Sequence, residues 1–95
     1  MTKALSTSEI EALKNHTAWK LQGGKLTREW TFKDFIEAMA FVNWVATLAE
    51  AAGHHPDIDI RYNHVLLGLV THDAGGITQR DIAMASQIDT EFSKK

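Results

Sequence analysis

Between Thr31 and Tyr62 the chain switches from a helical to a strand hydrophobic period with only the short break Gly53-His54-His55-Pro56 between them. Phe35, Met39, Val42, Val45 or Ala46, and Ala49 recur at the spacing of one helix face, and Ile36, Trp44 and Leu48 widen the stripe. The Thr31 hydroxyl is placed to cap this helix, with Asp34 three residues on and Trp30 and Phe35 set to form a hydrophobic staple. The helix is expected to run to about Ala52 and to stop at Gly53, the residue type of left-handed C-terminal turns. Pro56 bars its continuation. Asp57-Ile58-Asp59-Ile60-Arg61-Tyr62 then alternates, placing Ile58, Ile60 and Tyr62 on one face of a half-buried strand. A helix and a strand joined so closely must cover each other's apolar faces.

The flanking segments supply the rest of a sheet. Trp19, Leu21, Leu26 and Trp30 follow a period of two around Gly23-Gly24, whose positive φ angles suit a hairpin turn. Asn63-His64 can turn the later strand back into Val65–Thr71, making a second hairpin, and Asp73-Ala74-Gly75-Gly76 reads as a loop. Ser6 with Glu9, and Thr78 with Asp81, have capping-box spacing. The first starts a short helix carrying Ile10 and Leu13 that stops near Asn15. The second starts a C-terminal helix carrying Ile82, Ala85 or Ser86, Ile88 or Asp89, and Phe92, ending at Ser93-Lys94-Lys95. The expected fold is α+β, a four-stranded antiparallel sheet with helices on one face, in the order α-β-β-α-β-β-α. The other sheet face is left for solvent or a partner. Ninety-five residues with one proline and no low-complexity tract read as a single domain, 1–95.

Composition removes several functions. Ten Lys plus Arg against twelve Asp plus Glu, with no basic stripe, argue against direct nucleic-acid binding. With no cysteine, disulfides, thiolate metal sites and cysteine nucleophiles are excluded. No apolar run approaches the roughly 20 residues of a membrane span, and the polar, acidic start does not resemble a targeting peptide. A cytoplasmic protein with no membrane partner is the expectation.

Four of the five histidines, His54, His55, His64 and His72, fall between Glu50 and Asp81. Imidazoles titrate near neutrality, so two or three around a pocket give and take protons without a metal or cofactor. His54 and His55 occupy a loop held by rigid elements at both ends, where functional side chains are commonly presented. Glu50 stands in the last helical turn, which the macrodipole disfavours for an acid, so it either faces solvent or orients an imidazole, with His54 four positions on. If the second hairpin closes near Asn63-His64, the start of one strand beside His55 and the end of the other beside His72 come together. His54, His55 and His72 then converge, while His64 lies at the far end and His16 stands apart. The capping box accounts for Asp81, Arg80 binds an anion or is solvated, and Trp19, Trp30 and Trp44 read as core. HExxH, phosphate-loop and GxSxG motifs are absent, and a zinc site on His54, His55 and His72 is disfavoured because neighbouring histidines rarely share one zinc.

Glu50, His54-His55-Pro56, Tyr62, His72 and Asp81 match, gap by gap across 32 residues, the motif of the pterin-4a-carbinolamine dehydratase family, which this chain resembles over essentially its whole length. The resemblance implies the α-β-β-α-β-β-α fold. It also implies dehydration of 4a-hydroxytetrahydrobiopterin, released by aromatic amino-acid hydroxylases, to quinonoid dihydropterin, with no metal and no bound cofactor. By the same resemblance His54 and His72 transfer protons, His55 helps bind the pterin and Glu50 orients or tunes a histidine. Pro56 fixes the turn, and Asp57, Thr71, Arg80 and Asp81 bind substrate or support the pocket. Ile58-Asp59 replaces a Trp-Phe pair of animal members, and Val70 replaces a serine, which touches how the pterin is held and leaves the histidines intact. Family members are dimers or tetramers, so a homodimer or homotetramer is expected. Some animal members also bind a homeodomain transcription factor; the matched motif does not contain that surface, and it identifies no protein partner. The alternative on this fold is a non-catalytic interaction or coactivator module, for which three retained histidines would be unnecessary.

Overall fold

Local capping chemistry sets where the elements begin and end. The computed structural model describes residues 4–13 and 18–92: α1 (Thr7–Leu13), β1 (Lys20–Gln22), β2 (Lys25–Thr31), α2 (Phe35–Ala52), β3 (Asp57–Arg61), β4 (His64–Leu69), a 3-10 turn (His72–Ala74) and α3 (Gln79–Phe92). Asn15, His16 and Ser93-Lys94-Lys95 lie outside the described residues. α1 begins with a reciprocal capping box, the Ser6 amide donating to Glu9 Oε1 at 2.8 Å and the Glu9 amide to Ser6 Oγ at 3.2 Å. Gly23 and Gly24, at φ 60° and 77°, make the two-residue turn between β1 and β2.

The expected order and sheet are present: four antiparallel strands in the order β1-β2-β4-β3. The registers place Leu26, Trp30, Val65, Leu67 and Leu69 toward the helices, all buried, and on the same face of the edge strand β3 Ile60 is partly buried and Ile58 exposed. α2 covers this face with Ala38, Phe41, Val42, Val45, Leu48 and Ala49, and α3 with Met84, Ala85 and Ile88. Phe41 is the hub of an aromatic cluster, 4.7 Å from Trp30, 4.9 Å from Phe92 and 5.2 Å from Phe32 between ring centroids. The opposite sheet face is polar: Lys25 pairs with Asp57 across Gly68, and His64 Nδ1 lies 3.2 Å from Thr31 Oγ1.

Several details differ from the expectation. The cap of α2 is Asp34, whose Oδ1 accepts the Glu37 amide at 2.9 Å while Glu37 Oε1 accepts the Lys33 amide at 3.0 Å. Thr31 is instead the last residue of β2, paired with His64 in the ladder. Val42, Val45, Leu48 and Ala49 of the expected stripe are buried, but in the first turn Phe35 and Ile36 are exposed, at 46% and 76%, and Ala38 and Phe41 join the buried face. The second hairpin turns at Tyr62 and Asn63, with Tyr62 at φ 54°, and His64 opens β4, which ends at Leu69 rather than Thr71. β3 is more exposed than half-buried, since as an edge strand it lies at the margin of the helical layer. The loop after β4 contains a 3-10 turn from His72. Finally, the 18 residues of α2, with mean hydropathy 1.3, are long and apolar enough by length and composition to cross a membrane, contrary to the reading that no apolar run comes close. Here that apolarity forms the sheet-facing core.

Two stability outcomes follow. Asp34→Ala is expected to cost about 1 kcal/mol in urea unfolding, and Thr31→Ala under about 0.5 kcal/mol; the reverse order would return the cap to Thr31. Asp89 accepts from Trp19 Nε1 at 2.9 Å and from Arg28 Nη1 at 2.5 Å, so Asp89→Ala removes one acceptor shared by a buried indole N–H and a guanidinium. Its unfolding free energy should drop by about 2 kcal/mol, with Asp89→Asn, which keeps an acceptor, losing roughly half as much.

Candidate active site

The site begins with the way α2 ends. Gly53 takes the left-handed conformation at φ 64°, its amide bonded to Glu50 O at 3.3 Å, and the His54 amide returns to Ala49 O at 3.2 Å. This turn swings the chain across the end of α2 and sends two consecutive imidazoles to different surroundings. His54 is buried, whereas the His55 side chain is 60% exposed.

His54 Nε2 donates to Asp81 Oδ1 at 2.6 Å. Asp81 is fully buried, and its other oxygen, Oδ2, accepts the Thr71 hydroxyl at 2.8 Å and the Thr78 amide at 2.9 Å. Thr71 and Thr78 are also buried, their hydroxyls 2.7 Å apart. The capping box anticipated from the sequence is present, but it accounts for only one of these three donors. The same carboxylate joins the end of β4, the start of α3 and the histidine loop. His55 Nε2 donates to Glu50 Oε2 at 2.5 Å. Glu50 thus serves an imidazole, though His55 rather than His54: the four-residue spacing applies within a helix, and the chain has left the helix at Gly53.

Arg80 is exposed, and its Nη2 donates to Gly53 O at 3.1 Å, strapping the N-terminus of α3 to the histidine turn. His72 opens the 3-10 turn, exposed and next to Thr71, so the Thr71–Asp81–His54 linkage brings it to the same end of the sheet. Pro56 is half-buried in the loop. Asp57 is paired with Lys25 on the open sheet face, apart from the Asp81 network, and His64 lies on that face as well. His54 and Arg80 line a cavity of about 200 Å³ with Ala52, Ala83, Met84 and Gln87. Larger cavities of about 470 and 410 Å³ flank Trp44 along α2 and α3 with no imidazole in their lining, and one of about 250 Å³ on the open sheet face holds His64 with Glu29, Asp59 and Arg61; the small cavity is the one that adjoins the Asp81 network. It is smaller than most whole-ligand pockets, and of the three histidines only His54 is in its lining, with His55 and His72 exposed outside it. Among the described residues no group of three or more His, Asp or Glu side chains is placed to hold a metal ion. Thr78 is the contributor that sequence reasoning passed over. Its capping spacing was visible, but its contact with Thr71 joins two elements whose juxtaposition depends on the tertiary fold.

A family model described as pterin 4 alpha carbinolamine dehydratase matches residues 3–91. A pterin-4-alpha-carbinolamine dehydratase homologue from Acidobacterium capsulatum is 61% identical, over 83% of this chain and 86% of its own. One from Chloroflexus aurantiacus is 55% identical, over 90% and 92%. The crystal structure of a transcriptional coactivator/pterin dehydratase from Brucella melitensis superposes with a TM-score of 0.82 at 37% identity, covering 93% of this chain and 97% of that one. A pterin dehydratase-like protein identified as a RuBisCO assembly factor in the alpha-carboxysome gives a TM-score of 0.65 at 27% identity, covering 79% and 89%. Motif, fold and relatives agree, and the chain belongs to the pterin-4-alpha-carbinolamine dehydratase family.

Proposed function

We propose that this protein is a dehydratase that removes water from 4a-hydroxytetrahydrobiopterin to give quinonoid dihydropterin, recycling the pterin of aromatic amino-acid hydroxylases. The observation that carries the reading is the pair of adjacent imidazoles on separate carboxylates, His54 on buried Asp81 and His55 on exposed Glu50, with His54 lining the cavity. Elimination needs a proton delivered to the departing hydroxyl and another withdrawn from a ring nitrogen, which is acid–base work for positioned imidazoles. In this reading His54 and His72 transfer protons and His55 helps hold the pterin. Glu50, Pro56, Asp57, Thr71, Arg80 and Asp81 bind the substrate or support the wall. No metal or bound cofactor is assigned to the reaction.

We place the protein in the cytoplasm, as a homodimer or homotetramer. Phe35 and Ile36, exposed on α2, and the uncovered edges of β1 and β3 are the surfaces that suit self-association. A second reading, a protein-interaction module on the same fold, draws on the coactivator and assembly-factor descriptions of the two structural relatives. It gives the histidine–carboxylate pairs no task.

The deciding assay generates the 4a-hydroxytetrahydropterin in situ with a phenylalanine hydroxylase and follows its loss by ultraviolet absorbance. Wild type should accelerate the decay, and folded His54→Ala and His72→Ala variants should each lose at least about tenfold of that acceleration. Folded wild type that leaves the decay unchanged would shift the reading to the interaction module. Light scattering during gel filtration should give a mass of two or four chains, and a monomer at micromolar concentration would remove self-association from the reading.

A further inference from the structure

The Thr71 and Thr78 hydroxyls are buried behind the imidazoles, and their hydrogen bonds can run in only one direction. A threonine hydroxyl has one proton to donate, while an ionised carboxylate only accepts. Thr71 Oγ1 therefore donates to Asp81 Oδ2 at 2.8 Å. With that proton committed, Thr71 meets Thr78 Oγ1, 2.7 Å away, as an acceptor, and Thr78 is the donor. Thr78 Oγ1 in turn accepts the Arg80 backbone amide at 3.2 Å. The relay thus starts at a backbone N–H in the first turn of α3, which cannot reverse, and ends on Asp81.

Oδ2 also accepts the Thr78 amide at 2.9 Å, so the carboxylate cannot turn without breaking two hydrogen bonds. Its other oxygen faces His54 Nε2 at 2.6 Å, which puts a proton on that nitrogen and, in the neutral ring, leaves the lone pair on Nδ1. Among the described residues Trp30 Nε1 is the buried side-chain nitrogen or oxygen without a partner. His54 Nδ1, which hydrogen-bonds to no described side chain, therefore keeps some exposed surface, on a ring that lines the cavity.

We propose that the Thr78–Thr71 hydroxyl pair is a positioning relay that holds Asp81, and through it keeps His54 as the Nε2–H tautomer with Nδ1 as the nitrogen that takes the substrate's proton. The tautomer rests on the geometry alone, and the proton transfer rests on the dehydratase reading. In that step the N–H bond of the pterin ring nitrogen breaks and its proton goes to Nδ1, while the electron pair forms the C=N bond to C4a. The C4a–O pair leaves on oxygen, which takes a proton from solvent or an exposed imidazole and departs as water. The charge gained by His54 sits against Asp81, and the proton later returns to solvent.

Histidine-ring ¹⁵N spectra of labelled protein test the tautomer directly, with His54 assigned by its loss in His54→Ala. Wild type should show a pyrrole-like Nε2 and a pyridine-like Nδ1 for His54; a proton on Nδ1, or an even mixture of tautomers, overturns the proposal whatever the activity. Thr71→Val, which removes a donor from Asp81 and leaves the α3 cap residue Thr78 itself in place, should shift His54 toward a mixture and lower kcat about tenfold with KM within about twofold. Thr78→Val should move both readouts in the same direction by a smaller amount, and Thr78→Ser should restore them. Valine variants with wild-type spectra and wild-type kcat would overturn the relay. If folded wild type has no dehydratase activity, the proton-transfer half falls with that reading, and the spectra still decide the tautomer.

Discussion

The fully buried carboxylate of Asp81 is the constraint around which the functional end of the protein is arranged. An acid without water around it must find its hydrogen bonds inside the protein, and Asp81 receives them from Thr71 after β4, Thr78 before α3, and His54 after α2. Removing it would orphan buried donors on three segments at once. Helix capping and imidazole placement therefore depend on the same atoms. A substitution that disturbed the proton-transfer group would disturb the start of α3 as well.

The rest of the fold keeps those three segments in position. β4 lies between β2 and β3, so its end is fixed by hydrogen bonds on both sides. α2 is anchored through Phe41 to the aromatic cluster, and α3 through Asp89 to Trp19 and Arg28. Arg80 then ties the two helices together at the site by donating to Gly53 O. The imidazoles stand on the junctions of rigid elements, where a small error in packing would carry directly into their geometry.

Features that depend on neighbours in sequence were legible from the chain. The element order, the Gly23-Gly24 hairpin, the Gly53 stop and both flanking capping boxes are local chemistry, and each stands where the residues indicated. Local rules failed where two of them competed. Thr31 and Asp34 both precede a helical stripe, and the ladder pairing of Thr31 with His64 left the cap to Asp34. At the site, strand-end geometry indicated that His72 would come to the His54-His55 end. The assignment of Glu50 to His55 and of Asp81 to His54 depended on the exit angle at Gly53 and on the docking of α3, which spacing does not encode. A capping box seemed to explain Asp81 fully because one role in a sequence motif conceals a second made in space.

The two imidazole–carboxylate pairs have nearly the same geometry, 2.6 Å for His54 with Asp81 and 2.5 Å for His55 with Glu50, yet their surroundings make them different devices. Asp81 is shut off from water, so its attraction for the Nε2 side of His54 is little screened and the ring is held in one orientation. His55 and Glu50 have side chains 60% and 77% exposed, where solvent and salt weaken the pair and both groups keep rotational freedom. A reaction that withdraws a proton from a fixed ring position needs a base that does not move, whereas an arriving and departing ligand is better met by a group that adapts. The left-handed turn at Gly53 supplies both from consecutive residues, by directing one imidazole into the protein and the next out of it.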